Sequence, residues 1–391
     1  DDWEFKLDEE LIDTHHLQSA AHSLKHSDVP VAFPTETVYG LGADATRSEA
    51  VKGIYKAKQR PVDNPLIVHI SSLNQLRQLL RPSGQRGIAN GATFDPIPDI
   101  YKPLIQKFWP GPLTILLPTP NDSRLAPEVT AGLKTFGARM PGSLLAMVLI
   151  KLAGVPLAAP SANASTKPSP TVAEHVKYDL DGRIDTILDG GPCDVGVEST
   201  VVDGLSTPPS ILRPGGVSIE QLRQCVGWEN VVIGYKDSSE TGLAPKAPGM
   251  KYRHYSPKAQ VVLYHANNPQ PEWNKVIEEF GPRKSIGFIN TKKWNLPKEK
   301  MATTAIGSDR GESQSNDAAS SPVTSSESKV CVISLGRDTE SIARGLFSAL
   351  RDLDKRGAEM IFVEGIDEQE GATAAAVMNR LRKAAEVEIR D

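Results

Sequence analysis

The chain has 391 residues, a formal net charge of -4, 39% hydrophobic residues and 24% charged residues. These proportions suit a globular protein of two or three domains, and the charge offers no bulk attraction to nucleic acid, so any RNA contact has to be local. No apolar run approaches the ~18 residues that span a bilayer, and Cys193, Cys225 and Cys331 lack the spacing of a zinc site or disulfide framework and suit a reducing compartment.

In chain order, His15, His16, His22 and His26 fall in a polar helix. Short β-branched runs at 29–33 and 66–70 read as strands. Between them, Thr46 and Glu49 have capping-box spacing and open a helix that Pro61 stops. Runs at 113–117, 155–158, 184–188, 199–202 and 210–212 read as further strands, with helices at 144–152 and 171–178 among them. This alternation predicts an α/β domain with a mixed sheet over 1–233.

Residues 234–257 mix Ser, Gly, Pro and charges and read as a linker. Within it, APGMKYRHYSP at 247–257 is too aromatic and basic for a passive tether. A second α/β pattern covers 258–391. Strands are expected at 261–264, 285–289, 330–335 and 360–363, and helices at 272–280, after Asp338, and at 372–385. The segment 306–329 is nearly free of large apolar residues and reads as a disordered loop.

The chemistry concentrates in 33–70. Lys52, Lys56, Lys58 and Arg60 crowd the end of one helix beside Pro61, and Asp63, Asn64 and Pro65 then turn into the strand ending at His69. A Lys/Arg run alone is a solvated helix face. On a rigid helix end facing an Asn turn it reads as a phosphate clamp, with Arg forked and Lys a point charge. The run Gly40–Ala45 reads as a glycine turn and matches G-x-G-x-x-A, but the segment from Pro34 to Tyr39 separates it from its strand, so the dinucleotide signal is weak. Arg139, between apolar neighbours, serves either a structural ion pair or a carboxylate ligand. Ser161 and Asn163 in PSAN, Ser199 in GVEST and Arg213 in LRPG sit in small polar turns beside strands, open both to a structural and to a binding reading. No Ser-His-Asp set, HExxH or Walker loop is present.

Eight segments, PTETVYGLGADA, KQRPVDNPLIVHI, WPGPLT, RMP, PSAN, GVEST, LRPG and APGMKYRHYSP, stand in order over residues 34–257. Together they resemble the YrdC-like family of threonylcarbamoyl-AMP synthases in its two-domain form. The resemblance implies a YrdC-like α/β domain with a twisted mixed sheet and concave surface, followed by a smaller Rossmann-like α/β domain. It implies a nucleotidyltransferase that joins L-threonine, bicarbonate or CO2 and ATP, carried with Mg2+, into threonylcarbamoyl-AMP and pyrophosphate.

By motif, the resemblance assigns Thr37, His69, Arg139 and Ser199 to threonine. It assigns Lys58, Arg60, Asn64, Thr135, Ser161, Asn163, Ser169 and Arg213 to ATP, with Lys58 and Arg60 as catalytic cations. Tyr252 and His254 would fold over the site as a lid. The implied partners are a downstream threonylcarbamoyl transferase and, at a local surface, tRNA. No membrane is implied, and the setting is cytoplasmic, with a mitochondrial pool compatible. An RNA-binding module without ATP turnover and a carbamoyltransferase with another acceptor are the competing functions. The segments 81–95 and 306–329 stand out as insertions.

Overall fold

The computed structural model describes residues 14–81, 95–235, 255–272, 275–276, 285–294, 302–305 and 330–390. The expected loop at 306–329, most of the 81–95 insertion, most of the linker and most of the helix expected at 272–280 lie outside the described residues.

Ten strands form one mixed sheet: β1 (Val31–Phe33), β2 (Gly40–Asp44), β3 (Ile67–His69), β4 (Leu113–Pro118), β5 (Thr135–Arg139), β6 (Leu157–Ala158), β7 (Thr186–Ile187), β8 (Thr200–Asp203), β9 (Ser210–Arg213) and β10 (Val232–Ile233). Their order is β10-β9-β8-β4-β5-β3-β6-β2-β1-β7. Its centre is almost wholly apolar and buried, as a sheet covered on both faces requires. Six more strands, β11 (Gln260–Tyr264), β12 (Ile286–Asn290), β13 (Ala302–Ala305), β14 (Val330–Ser334), β15 (Met360–Glu364) and β16 (Val387–Ile389), form a second sheet in the order β13-β14-β12-β15-β11-β16. Its pairings are parallel, with crossovers that include the helices Thr339–Lys355 and Ala372–Ala384. The first of these helices is capped by Asp338, which accepts from the Ser341 amide at 2.8 Å, and it buries Ile342, Leu346, Leu350 and Leu353 on one stripe.

Two local expectations change. The run from Gly40 is not a turn: Gly40–Asp44 is a buried strand paired antiparallel to β1. A Cβ on Gly42 would meet the Phe33 ring at 2.7 Å, and one on Gly40 would meet it at 3.2 Å, so the glycines make room for a cross-strand ring. The Thr46 capping box does not form either. The helix begins at Ser48, and the Thr46 hydroxyl donates to Asp44 Oδ1 at 2.7 Å instead. That helix ends before Pro61, where Gln59 takes a left-handed φ of 52°.

The two sheets are joined by buried polar contacts. Arg351 Nη2 donates to Asp179 Oδ2 at 2.8 Å, Arg380 Nε donates to Glu198 Oε2 at 2.9 Å, and the Thr171 and Ser348 hydroxyls lie 3.0 Å apart. Gly196 lies against the helix backbone opposite it. Its φ is 77°, and a Cβ there would come within 2.4 Å of Arg344 Cα. Val38 and Val197 from the first half enter the apolar cluster of the second.

Candidate active site

Side chains alternate along a strand, so Ile67 and His69 of β3 share one face, as do Thr135, Gly137 and Arg139 of the parallel β5. His69 and Arg139 are in register. The pocket lies where this face meets the strand ends: His69, Arg139 and Arg213 are the last residues of β3, β5 and β9, and Ser199 directly precedes β8. It encloses about 550 Å3 of empty space, open mouth included, and is lined by Thr37, Arg60, His69, Arg139, Ser161, Ser199 and Arg213 among others. Half of the fourteen residues singled out from the sequence therefore meet at one cavity.

Its electrostatics are cationic. Arg139 donates to Thr37 Oγ1 at 2.9 Å, to Glu36 Oε1 at 2.6 Å and to the Gly111 carbonyl at 3.2 Å. The ion-pair reading of this arginine holds, and the residue also lines the pocket. Arg213 donates through Nη2 to Ser199 Oγ and through Nε to Ser199 O, both at 3.0 Å, and Ser199 Oγ lies 2.8 Å from Thr114 Oγ1. Arg60 Nη2 is buried and has no hydrogen-bond partner among the described residues. A buried donor left without an acceptor is unusual in a folded protein, and this one belongs to a residue that lines the pocket. His69 is held neutral: burial, then the nearby Arg139 charge, pushes its imidazole down to about 3.

Lys58, Asn163, Ser169, Asn64 and Thr135 do not line the cavity. Lys58 is buried, and its ammonium donates to the Ser161 carbonyl, to Asn163 O at 2.6 Å and to Asn163 Oδ1 at 3.3 Å. It ties the helix end to the PSAN loop from behind. Burial, then the Arg60 charge, lowers its pKa well below the usual lysine value. Asn163 Oδ1 also accepts from Ser161 Oγ at 2.5 Å. The Ser169 hydroxyl donates to Glu198 Oε1 at 2.5 Å. Asn64 is buried, and its Oδ1 has no partner among the described residues. Thr135 stands on the Arg139 face beyond Gly137, roughly 13 Å along the strand at ~3.3 Å per residue. Tyr252 and His254 lie outside the described residues.

A family model described as "Telomere recombination" matches residues 24–215, and one described as "Threonylcarbamoyl-AMP synthase, C-terminal domain" matches residues 217–386. The threonylcarbamoyl-AMP synthase of Schizosaccharomyces pombe is 48% identical over 95% of this chain and 88% of its own. The chain belongs to the threonylcarbamoyl-AMP synthase family. The family's Bacillus subtilis enzyme is 41% identical over 94% of this chain and 92% of its own. In structure, the chain is similar to Sua5 of Pyrococcus abyssi complexed with L-threonine, with a TM-score of 0.73, 38% identity, and coverage of 96% of each chain. The fold is thus the family's two-domain α/β architecture.

Three site residues of this synthase-family chain escaped the sequence reading. Glu198 lines the pocket as an ionised carboxylate: burial would raise its pKa, but Arg380 and Arg213 outweigh that and hold it at about 2. Tyr255 also lines the pocket, 2% exposed at a φ of 67°, with its ring 5.2 Å from Phe347. Glu36 anchors Arg139. All three lie inside motifs flagged for other residues. The two acids hold arginines in place, Glu36 pairing with Arg139 and Glu198 with Arg380.

Proposed function

We propose that this chain condenses L-threonine, bicarbonate or CO2 and ATP into L-threonylcarbamoyladenylate and pyrophosphate, the activated intermediate for N6-threonylcarbamoyladenosine in tRNA. The observation that carries the reading is the meeting of Arg60, Arg139 and Arg213 at one pocket beside a neutral His69. Substrates that bring a carboxylate, a carbamate and a triphosphate together need fixed cations at that density.

Arg139, held by Glu36, faces the threonine carboxylate, and Thr37 and Ser199 offer hydroxyls to its polar groups. The neutral amine adds to the carbon of CO2, forms the N–C bond and releases a proton to solvent, leaving the carbamate. A carbamate oxygen then attacks the α-phosphorus, and the bond to pyrophosphate breaks. The carbamate is its own nucleophile, so the chain needs no nucleophilic side chain, and its contribution is positioning and charge stabilisation. Arg60 and Arg213 are set to take phosphate charge. Lys58, behind the PSAN loop, supports that wall. Mg2+ would enter on the triphosphate, since no group of three acidic, His or Cys side chains suited to a metal occurs among the described residues.

The product's consumer would be a transferase acting on tRNA, with a local tRNA contact on this chain. The setting would be the cytoplasm, with a mitochondrial pool compatible. Among the described residues no helix is long and apolar enough to cross a membrane. The test is pyrophosphate release that requires ATP, threonine and bicarbonate together, with the adenylate identified by mass. Release without threonine would overturn the proposal.

A further inference from the structure

Arg380 lies on the helix Ala372–Ala384 of the second sheet's layer and is 1% exposed. It shares that helix's inner stripe with Val377, Leu381 and Ala384, all buried. Burying a charge at an apolar position is costly unless it is fully paired. Its partners all lie across the domain boundary or on its own helix. Nε donates to Glu198 Oε2 at 2.9 Å, Nη2 to Glu198 O at 3.4 Å, and Nη1 to the Pro214 carbonyl and to Ala376 O. Glu198 and Pro214 adjoin Ser199 and Arg213, two residues of the pocket wall.

Glu198 is the one carboxylate lining the pocket among the described residues. The groups facing it are Ser169 on Oε1 at 2.5 Å, Arg380 on Oε2, the Tyr255 hydroxyl, and the Arg213 charge. Left alone, that carboxylate would repel the phosphates of ATP and compete for Arg213. Arg380 cancels it from outside the cavity.

We propose that Arg380 is a positioning residue for the synthase reaction: by pairing with Glu198 it neutralises the pocket's carboxylate, keeps Arg213 available to the nucleotide, and gives the second domain a direct part in substrate binding. The inference rests on the synthase reading.

The test is steady-state pyrophosphate release by the full chain. Arg380→Met should raise the KM for ATP at least tenfold, with a smaller change in kcat. Adding Glu198→Gln to that variant should recover most of the loss, because a neutral amide needs no counter-charge. Arg351→Met removes a comparable interdomain ion pair away from the pocket and should leave KM unchanged. Equal KM shifts for the two arginine variants, or no recovery in the double variant, would reduce Arg380 to domain docking and overturn the proposal. If Arg380→Met does not fold, Glu198→Gln alone decides. With Arg380 left in place, KM for ATP should stay level or fall, and a tenfold rise would overturn the proposal. An inactive wild-type chain would fail the synthase reading and this one with it. An active wild type without the pattern would fail this one alone.

Discussion

At the scale of single residues, the pocket's arginines differ in how many protein acceptors they already hold. Arg139 and Arg213 already hold protein acceptors, while Arg60 Nη2 has none among the described residues. Arg60→Ala should therefore remove a charge-assisted ligand bond, worth about 1.5–3 kcal/mol, or roughly ten- to hundredfold in kcat/KM. Turnover near wild type would show that Arg60 does not meet substrate. His69 gives a second expectation. Its depressed pKa keeps it neutral across ordinary pH, so its ring signals in NMR should not titrate between pH 5 and 8. A midpoint near 6.5 would mean that the site is wetter and less cationic than described. The cation at Arg60 was legible in the sequence from the chemistry of anions, whereas Thr37, His69, Arg139, Ser161, Ser199 and Arg213 were reached through the family resemblance. The partners of Lys58 were not legible, since Ser161 and Asn163 lie 103 and 105 residues away in the chain. Tyr255 was missed because its burial depends on Phe347 and Arg380, both supplied by the second domain.

At the scale of elements, the main strands and helices follow from apolar patterning, and the misreadings have local causes. Gly40–Asp44 carried too many glycines to look like a strand, yet the Phe33 ring on β1 fills the space that side chains would take. Thr135–Arg139 has a glycine at its centre, and Gly137 faces Thr114 and Ile67 across neighbouring strands, a context only the assembled sheet supplies. Arg380 and Arg351 left a signal that was not used: each stands at a core position of an otherwise apolar helical stripe. Gly196 makes the element-scale prediction. Its left-handed φ and its approach to the Ala343 and Arg344 backbone leave no room for a methyl group. Gly196→Ala should cost about 1–3 kcal/mol and lower Tm by several degrees. An unchanged Tm would mean that the GVEST turn and the Thr339–Lys355 helix do not pack as described.

At the scale of the whole molecule, two buried ion pairs bridge the sheets, and acid should act on both. Glu198 would bind a proton near 4.5 in the unfolded chain but only near 2 in the fold. Between those values the unfolded state holds more protons, so stability falls as pH drops. The contribution is whole above about pH 5 and is lost on the way down to 2. The shift corresponds to about 3 kcal/mol. Asp179 changes in the same direction: burial would raise its carboxyl, but Arg351 and Lys167 hold it below the usual range. His175 lies on the same boundary. Burial and the Arg351 charge push it from 6.5 down to about 3, so folding excludes a proton that the unfolded chain would take up, and stability again falls with pH. These three groups lie where the two sheets meet, whereas each sheet has its own apolar core. Between pH 5 and 3 the halves should therefore separate before either one melts. The radius of gyration from small-angle scattering should rise while far-UV circular dichroism holds, and thermal unfolding should split from one transition at pH 7 into two at pH 3.5. Loss of both signals at a single pH would mean that the apolar contacts of Val38 and Val197, rather than the ion pairs, hold the two halves together.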